Sequence, residues 1–300
     1  MFQQSLLIQI CLKIFLRMRL RIIRLRSHIL SLKYSSYCFE PLSSLNHFKF
    51  IQTSLAKPFS VVSLPSFVID HFLENKFQIF GFEWVDFSKS DIVHTPSPQF
   101  SFISRLFKLY YTHTPNYAYQ VTLSSFLPDN YNGLDWSWDC ISGKRWKSST
   151  CSTSISWVTT DCSDIKVPWE FSRLTHLSQC LFTAYSYRSS NPEKSDAIYH
   201  QSYYNILDFA INNPPGYGVN WSCAMDVAIR SANLSLYLFL LRSFSFELPP
   251  FFSSIIHNIL SDHLKFIKLN LEFSDFSNNH YLSNLCGSLI TLSILPESDE

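Results

Sequence analysis

Fourteen prolines punctuate this 300-residue chain, and their placement decides where a long helix can exist. A proline inside a helix removes a backbone donor and collides with the preceding turn, so helices stop before prolines or begin on them. Pro41, Pro58, Pro65, Pro96, Pro98, Pro115 and Pro128 cut residues 35 to about 160 into short pieces, which predicts an irregular region. From Asp164 onward the chain reads as a series of helices, with Pro168 near a start and the pairs Pro214-Pro215 and Pro249-Pro250 at breaks.

Between those breaks the apolar residues recur at helical spacing. KVPWEFSRLTHLSQCLFTAYSY reads as one helix, with Pro168 in its first turn and Glu170 at its positive end. A second is expected from about Ala197 to Asn212, burying Ile206, Leu207, Ala210 and Ile211. A third, SCAMDVAIRSANLSLYLFLLRS, has Asn220 or Ser222 available as a cap and Asp226 and Arg230 at i, i+4 spacing. A fourth spans Ser253 to about Glu272, and a fifth follows a polar turn at Ser274 to Ser277. Short connections make consecutive helices antiparallel neighbours, so a helical-hairpin array or toroid is expected. The expected division is residues 1–130, a basic helix and irregular segment packed on the rest, and residues 131–300, the helical part.

Six glycines in the whole chain are far below the usual share, which excludes Gly-rich phosphate loops and argues against a nucleotide-binding fold. The net charge of +1 hides a basic leader, in which Lys13, Arg17, Arg19, Arg21, Arg24, Arg26 and Lys33 precede the first acid, Glu40. Residues 1–34 read as a surface helix, with membrane contact or targeting as the alternative, and they form no clear signal peptide. No run reaches the length of a spanning helix; the best, SANLSLYLFLL, ends at Arg242. The eight cysteines lack metal-binding spacing and read as free, mostly buried thiols. No metal, cofactor or nucleic-acid partner is expected.

Trp136, Trp138, Trp146, Trp157, Trp169 and Trp221 lie among Asp, Arg and Asn. Flat indole faces beside hydrogen-bonding groups suit a sugar cleft, and equally suit core packing. Trp169, Glu170, Arg173 and His176 recur on successive turns of the first helix, where Glu170 and Arg173 pair at i, i+3. Near the C-terminus, FSNNHYLSNLCG sets Asn278, Asn279, His280 and Tyr281 side by side, either as a helix cap or as a site.

Four segments carry a resemblance: GLDWSWDCISGKRW (133–146), DIKVPWEFSRLTHL (164–177), NPPGYGVNWSCAMDVAIRSAN (213–233) and LKFIKLNLEFSDFSNNHYLSNLCGSLI (264–290). Together they resemble the N-terminal helical domain of the heparinase II/III-like polysaccharide lyases, well over residues 130–300 and weakly before. The resemblance implies a mainly α fold, an incomplete α/α toroid with an irregular N-terminal region. It implies cleavage of uronate-containing, acidic polysaccharides by β-elimination, in bacterial proteins that are often periplasmic or secreted; a cytoplasmic setting is the alternative.

Such chemistry needs a group that neutralises the uronate carboxylate, a base for the C5 proton and an acid for the leaving O4. The resemblance places Asn279 at the carboxylate and His280 in the same cleft. Trp136, Trp169, Glu170, Arg173, Trp221, Arg230 and Tyr281 would bind substrate or shape the cleft. The family's catalytic Tyr and a second His lie beyond the motif, in sequence that does not follow Glu300 here. The expectation is therefore a truncated or split lyase, inactive alone, with a separately encoded C-terminal part as partner. A non-catalytic carbohydrate-binding or exopolysaccharide-assembly protein is the alternative.

Overall fold

The computed structural model describes residues 63–89, 123–247, 249–273 and 278–295, and these are mainly helical. The basic leader, Cys11, Cys38 and the turn at 274–277 lie outside the described residues. The helices are α1 (Ser66–Leu73), α2 (Lys166–Ser172), α3 (Thr175–Tyr187), α4 (Pro192–Asn212), α5 (Ala224–Ser243), α6 (Pro250–Leu269) and α7 (Asn279–Leu292). Two small antiparallel ladders join β1 (Lys76–Phe77) to β2 (Val85–Asp86) and β3 (Ser88–Lys89) to β4 (Gly133–Leu134).

Each of the last four helices begins in its own way. Asn191 caps α4 by accepting the Lys194 N–H at 3.1 Å, with Pro192 at the first position. α6 starts on Pro250, directly after Pro249. Asn278 caps α7 through the Tyr281 N–H at 2.8 Å. α5 has no local side-chain cap. Asn220 lies instead in a 3-10 turn, Val219–Trp221, and the Ser222 hydroxyl donates to the Val219 carbonyl.

The predicted 22-residue first helix is two helices, broken at Leu174, whose φ of +59° is left-handed. No glycine or proline marks the break. It is held by tertiary contacts: the Leu174 side chain is fully buried, and Asn233 on α5 donates to the Arg173 carbonyl at 2.8 Å. His176 consequently turns away from Glu170 and Arg173 and packs among Phe72, Phe77 and Phe171.

α5 is the central helix, in contact with α3, α6 and α7, while α3 and α4 pack on one another. By length and composition α5 would cross a membrane, yet two-thirds of its apolar window is buried within the protein, as in a core helix. One core runs from Ile69, Phe77, Phe87 and Leu123 through Trp136 and Phe171 to α3, α4, α5 and α6. The described part of residues 1–130 thus shares its core with the helices. Among the described cysteines, all free, only Cys180 and Cys223 are buried, fewer than expected.

α5 and α7 approach unusually closely. A Cβ on Gly287 would lie 2.5 Å from the Ala228 carbonyl oxygen, so glycine is required there. Farther along the same seam, the Ser231 and Thr291 hydroxyls meet at 2.5 Å, both fully buried.

Candidate functional site

The N-terminus of α5 sets the site. Cys223 is extended, Ala224 begins the helix, and its first-turn N–H groups need acceptors that the side chain of the N-cap residue does not supply. Glu272, 47 residues after Met225, meets that need: its Oε2 accepts the Met225 N–H at 2.8 Å. A carboxylate at the positive end of a helix is also electrostatically favoured. The Glu272 backbone N–H donates to Oδ1 of Asn284, a buried residue on α7, at 2.9 Å. The expected end of the fourth helix is thus a separate segment clasped between α5 and α7.

Glu272 then faces two further groups with its other oxygen. His280 Nδ1, in the first turn of α7, lies 3.3 Å from Oε1. The Cys223 thiol donates to the same oxygen at 3.7 Å. Burial raises the Cys223 thiol above its ordinary range, reinforced by the Asp226 and Glu272 carboxylates. Trp157 stacks beside the His280 ring, with centroids 6.4 Å apart, and meets Trp169 edge-on at 5.4 Å. At 46% exposed, Trp157 is the tryptophan whose face is open at this site.

Asn278 does the capping, so Asn279 is left exposed with no described hydrogen bond on its side chain; its carbonyl accepts the Ser283 hydroxyl. Tyr281 is half-buried, and its ring packs against Phe273. The predicted Glu170–Arg173 pair is present, and Arg173 also reaches Asp226 at 2.8 Å. Asp226 therefore pairs with α2 and not with Arg230, because Arg230 points into the interior.

Several residues assigned to a sugar cleft are packing residues. Trp136 is 2% exposed, stacks on Phe171, and donates from Nε1 to Asp208 at 2.6 Å. Trp221, also 2% exposed, donates to the Asn213 carbonyl. Trp169 is buried, with its indole N–H on the Val219 carbonyl. None presents a face on which a pyranose could stack.

Arg230 is fully buried between Trp221 and Phe209, and donates to His263 Nε2 at 2.8 Å and to the Asn220 carbonyl at 3.0 Å. Burial pushes its guanidinium down to about 9, an effect the Asp226 charge partly offsets. The same burial, with Arg230 adjacent, holds His263 well below its ordinary range. Its neutral ring accepts at Nε2 and so places its proton at Nδ1, 2.7 Å from the Ile259 carbonyl.

Beside the Trp157 loop, a groove of about 350 Å³ is lined by Trp146, Ile155, Val158, Lys144, Lys147 and Thr159. Lys144 is paired with Asp161 at 2.7 Å, and Lys147 is exposed.

The sequence motif identifies Asn279 and His280 but misses Cys223, Glu272 and Trp157 as their surroundings. Glu272 stood at a helix end, and Trp157 sits in a Ser/Thr-rich stretch without period. No local signal points to a distant carboxylate, because Asn220 and Ser222 read as caps for α5 and only the fold places them elsewhere. Comparisons of the chain with protein-family models, with curated proteins and with solved structures find no match in any of the three.

Proposed function

We propose that the α7 N-terminus is part of a polysaccharide lyase site of the heparinase II/III type, on an incomplete α/α toroid, acting on uronate-containing glycans. The observation that carries this reading is the division of labour between neighbours: Asn278 caps the helix, leaving the Asn279 amide exposed beside His280. In β-elimination the C5–H bond breaks, the electron pair forms the C4=C5 double bond, and the C4–O4 bond releases the leaving sugar. Asn279 donates to the substrate carboxylate, stabilising the enolate that develops as the proton leaves. His280, oriented by Glu272, takes the C5 proton at Nε2. The family resemblance assigns the acid for O4 to a residue beyond the NNHY motif, and no side chain among the described residues is given that role.

A non-catalytic acidic-glycan binder is the second reading. The groove of Trp146, Lys144 and Lys147 favours it, since it offers an indole and the exposed Lys147 charge, with Lys144 already paired to Asp161.

Affinity electrophoresis on acidic and neutral polysaccharides, paired with absorbance of the unsaturated uronate, tests both. The chain should be retained on the acidic glycan, and Asn279→Ala should weaken retention by about tenfold or more, as for a hydrogen bond to a charged group. No retention, or retention indifferent to both Asn279→Ala and His280→Ala, rejects the site. Unsaturated product that disappears in His280→Ala supports the lyase. Retention without product, even when a polypeptide supplying that acid is added, supports the binder.

A further inference from the structure

We propose that Cys223 Sγ, Glu272 Oε1 and His280 Nδ1 form a binding site for a single divalent transition-metal ion of the zinc class, with an open fourth position toward solvent. The three ligand atoms lie within 4.8 Å of one another. Zinc bonds of roughly 2.3 Å to sulfur and 2.0–2.2 Å to nitrogen or oxygen place tetrahedral ligands about 3.3–3.7 Å apart. Two edges of the triangle already have that length, 3.3 Å from His280 to Glu272 and 3.7 Å from Cys223 to Glu272. The Cys223–His280 edge lies within 4.8 Å, and His280 is a half-buried side chain on the first turn of a helix.

The ligand set is mixed thiolate, imidazole and carboxylate, which favours zinc, cobalt or nickel over the oxygen-seeking magnesium or calcium. Its supports are those of a metal centre: Met225 N–H holds the second Glu272 oxygen, and Asn284 holds the Glu272 backbone. Glu272 is the acidic neighbour that faces the thiol directly; Asp226 is paired with Arg173, and Arg230 donates to His263, Asn220 and Ser172.

The His280 side chain is 32% exposed and that of Glu272 18%, so the ion would have a path in and a face left for water or a ligand oxygen. Cys223 loses its thiol proton to solvent on binding, and the thiolate and carboxylate together balance the ion's two charges. With Nδ1 coordinated, Nε2 of His280 carries the ring proton, so the loaded site donates a hydrogen bond where the metal-free imidazole accepts a proton.

The test uses the full chain, stripped with chelator and titrated with Co(II) or Zn(II) alone. One equivalent of Co(II) should bind and develop a thiolate charge-transfer band with the visible bands of a four-coordinate ion. Cys223→Ser should abolish the charge-transfer band, and His280→Ala should weaken binding by at least about tenfold. The double variant Cys162→Ser/Cys286→Ser, which removes the two thiols exposed among the described residues, should retain both. Folding of each variant is followed by far-UV circular dichroism. A folded chain that develops no band overturns the site, as does a band that survives Cys223→Ser or vanishes with the exposed thiols. No polysaccharide enters these measurements, so the metal site and the glycan reading fail or stand separately.

Discussion

Two histidines, each beside a tryptophan and a charged residue, lie at opposite depths. Inside, His263, Trp221 and Arg230 form a sealed cluster: each is at most 2% exposed, and each has its polar atoms met by other groups. At the rim, His280, Trp157 and Glu272 are open to solvent, and only Glu272 is tightly held. Similar residue types thus serve opposite ends. A buried cation with a full set of acceptors organises the core, whereas a half-exposed imidazole on an anchored carboxylate keeps its binding capacity for something else.

The largest expected effect falls on the sealed cluster. Trp221→Ala removes a core side chain and leaves the Asn213 carbonyl unpaired, and should cost about 3–5 kcal/mol in urea unfolding. If the cost is near zero, the interior cluster is not the structural anchor described. Next is the seam between the two regions: Gly287→Ala should cost about 1–3 kcal/mol, because the obstacle is the Ala228 backbone and not a movable side chain. A fully stable Gly287→Ala variant would mean that α7 can shift on α5.

A third experiment concerns pH. Burial raises the Asp208 carboxyl from 3.8 to about 7, against the hydrogen bonds from Leu134 and Trp136. A carboxyl with a raised native pKa contributes its stability below the unfolded value and loses it as pH rises through the native value. Burial lowers His176 to about 4, so that group works oppositely, adding stability above 6.5 and losing it as pH falls toward 4. The penalty for Asp208→Asn, measured by denaturant at each pH, should therefore shrink between pH 4 and 8. A penalty that grows over that interval contradicts the assignment. The smallest stability effect is at the rim: His280→Ala should stay within about 0.5 kcal/mol of the parent, while losing metal and glycan binding. A large loss of stability there would make His280 a structural residue after all.

Much of the helical half was legible, because apolar spacing and proline breaks act locally. The start of α7 and the Asn cap candidate are legible in FSNNHYLSNLCG itself, and the structure assigns the cap to Asn278. What escaped reading depends on contacts distant in sequence. Leu174 takes a left-handed conformation because Asn233 and the core hold it there, with no local signal. Asp226 and Arg230 have the spacing of a helical ion pair, but Arg173 and His263 supply partners that spacing cannot foresee. The tryptophan-rich stretch had a double meaning from the start: composition detects aromatic rings, and only folding decides that Trp136 and Trp221 face inward while Trp157 faces out.

The contact of Gly287 with Ala228 acts as the pivot of a caliper. His280 sits about two helical turns before Gly287, and Cys223 somewhat more than one turn before Ala228. The gap between imidazole and thiol is therefore gauged by two backbones pressed together at a distance from it. A methyl group added at that pivot would widen the jaws without altering any residue that lines them.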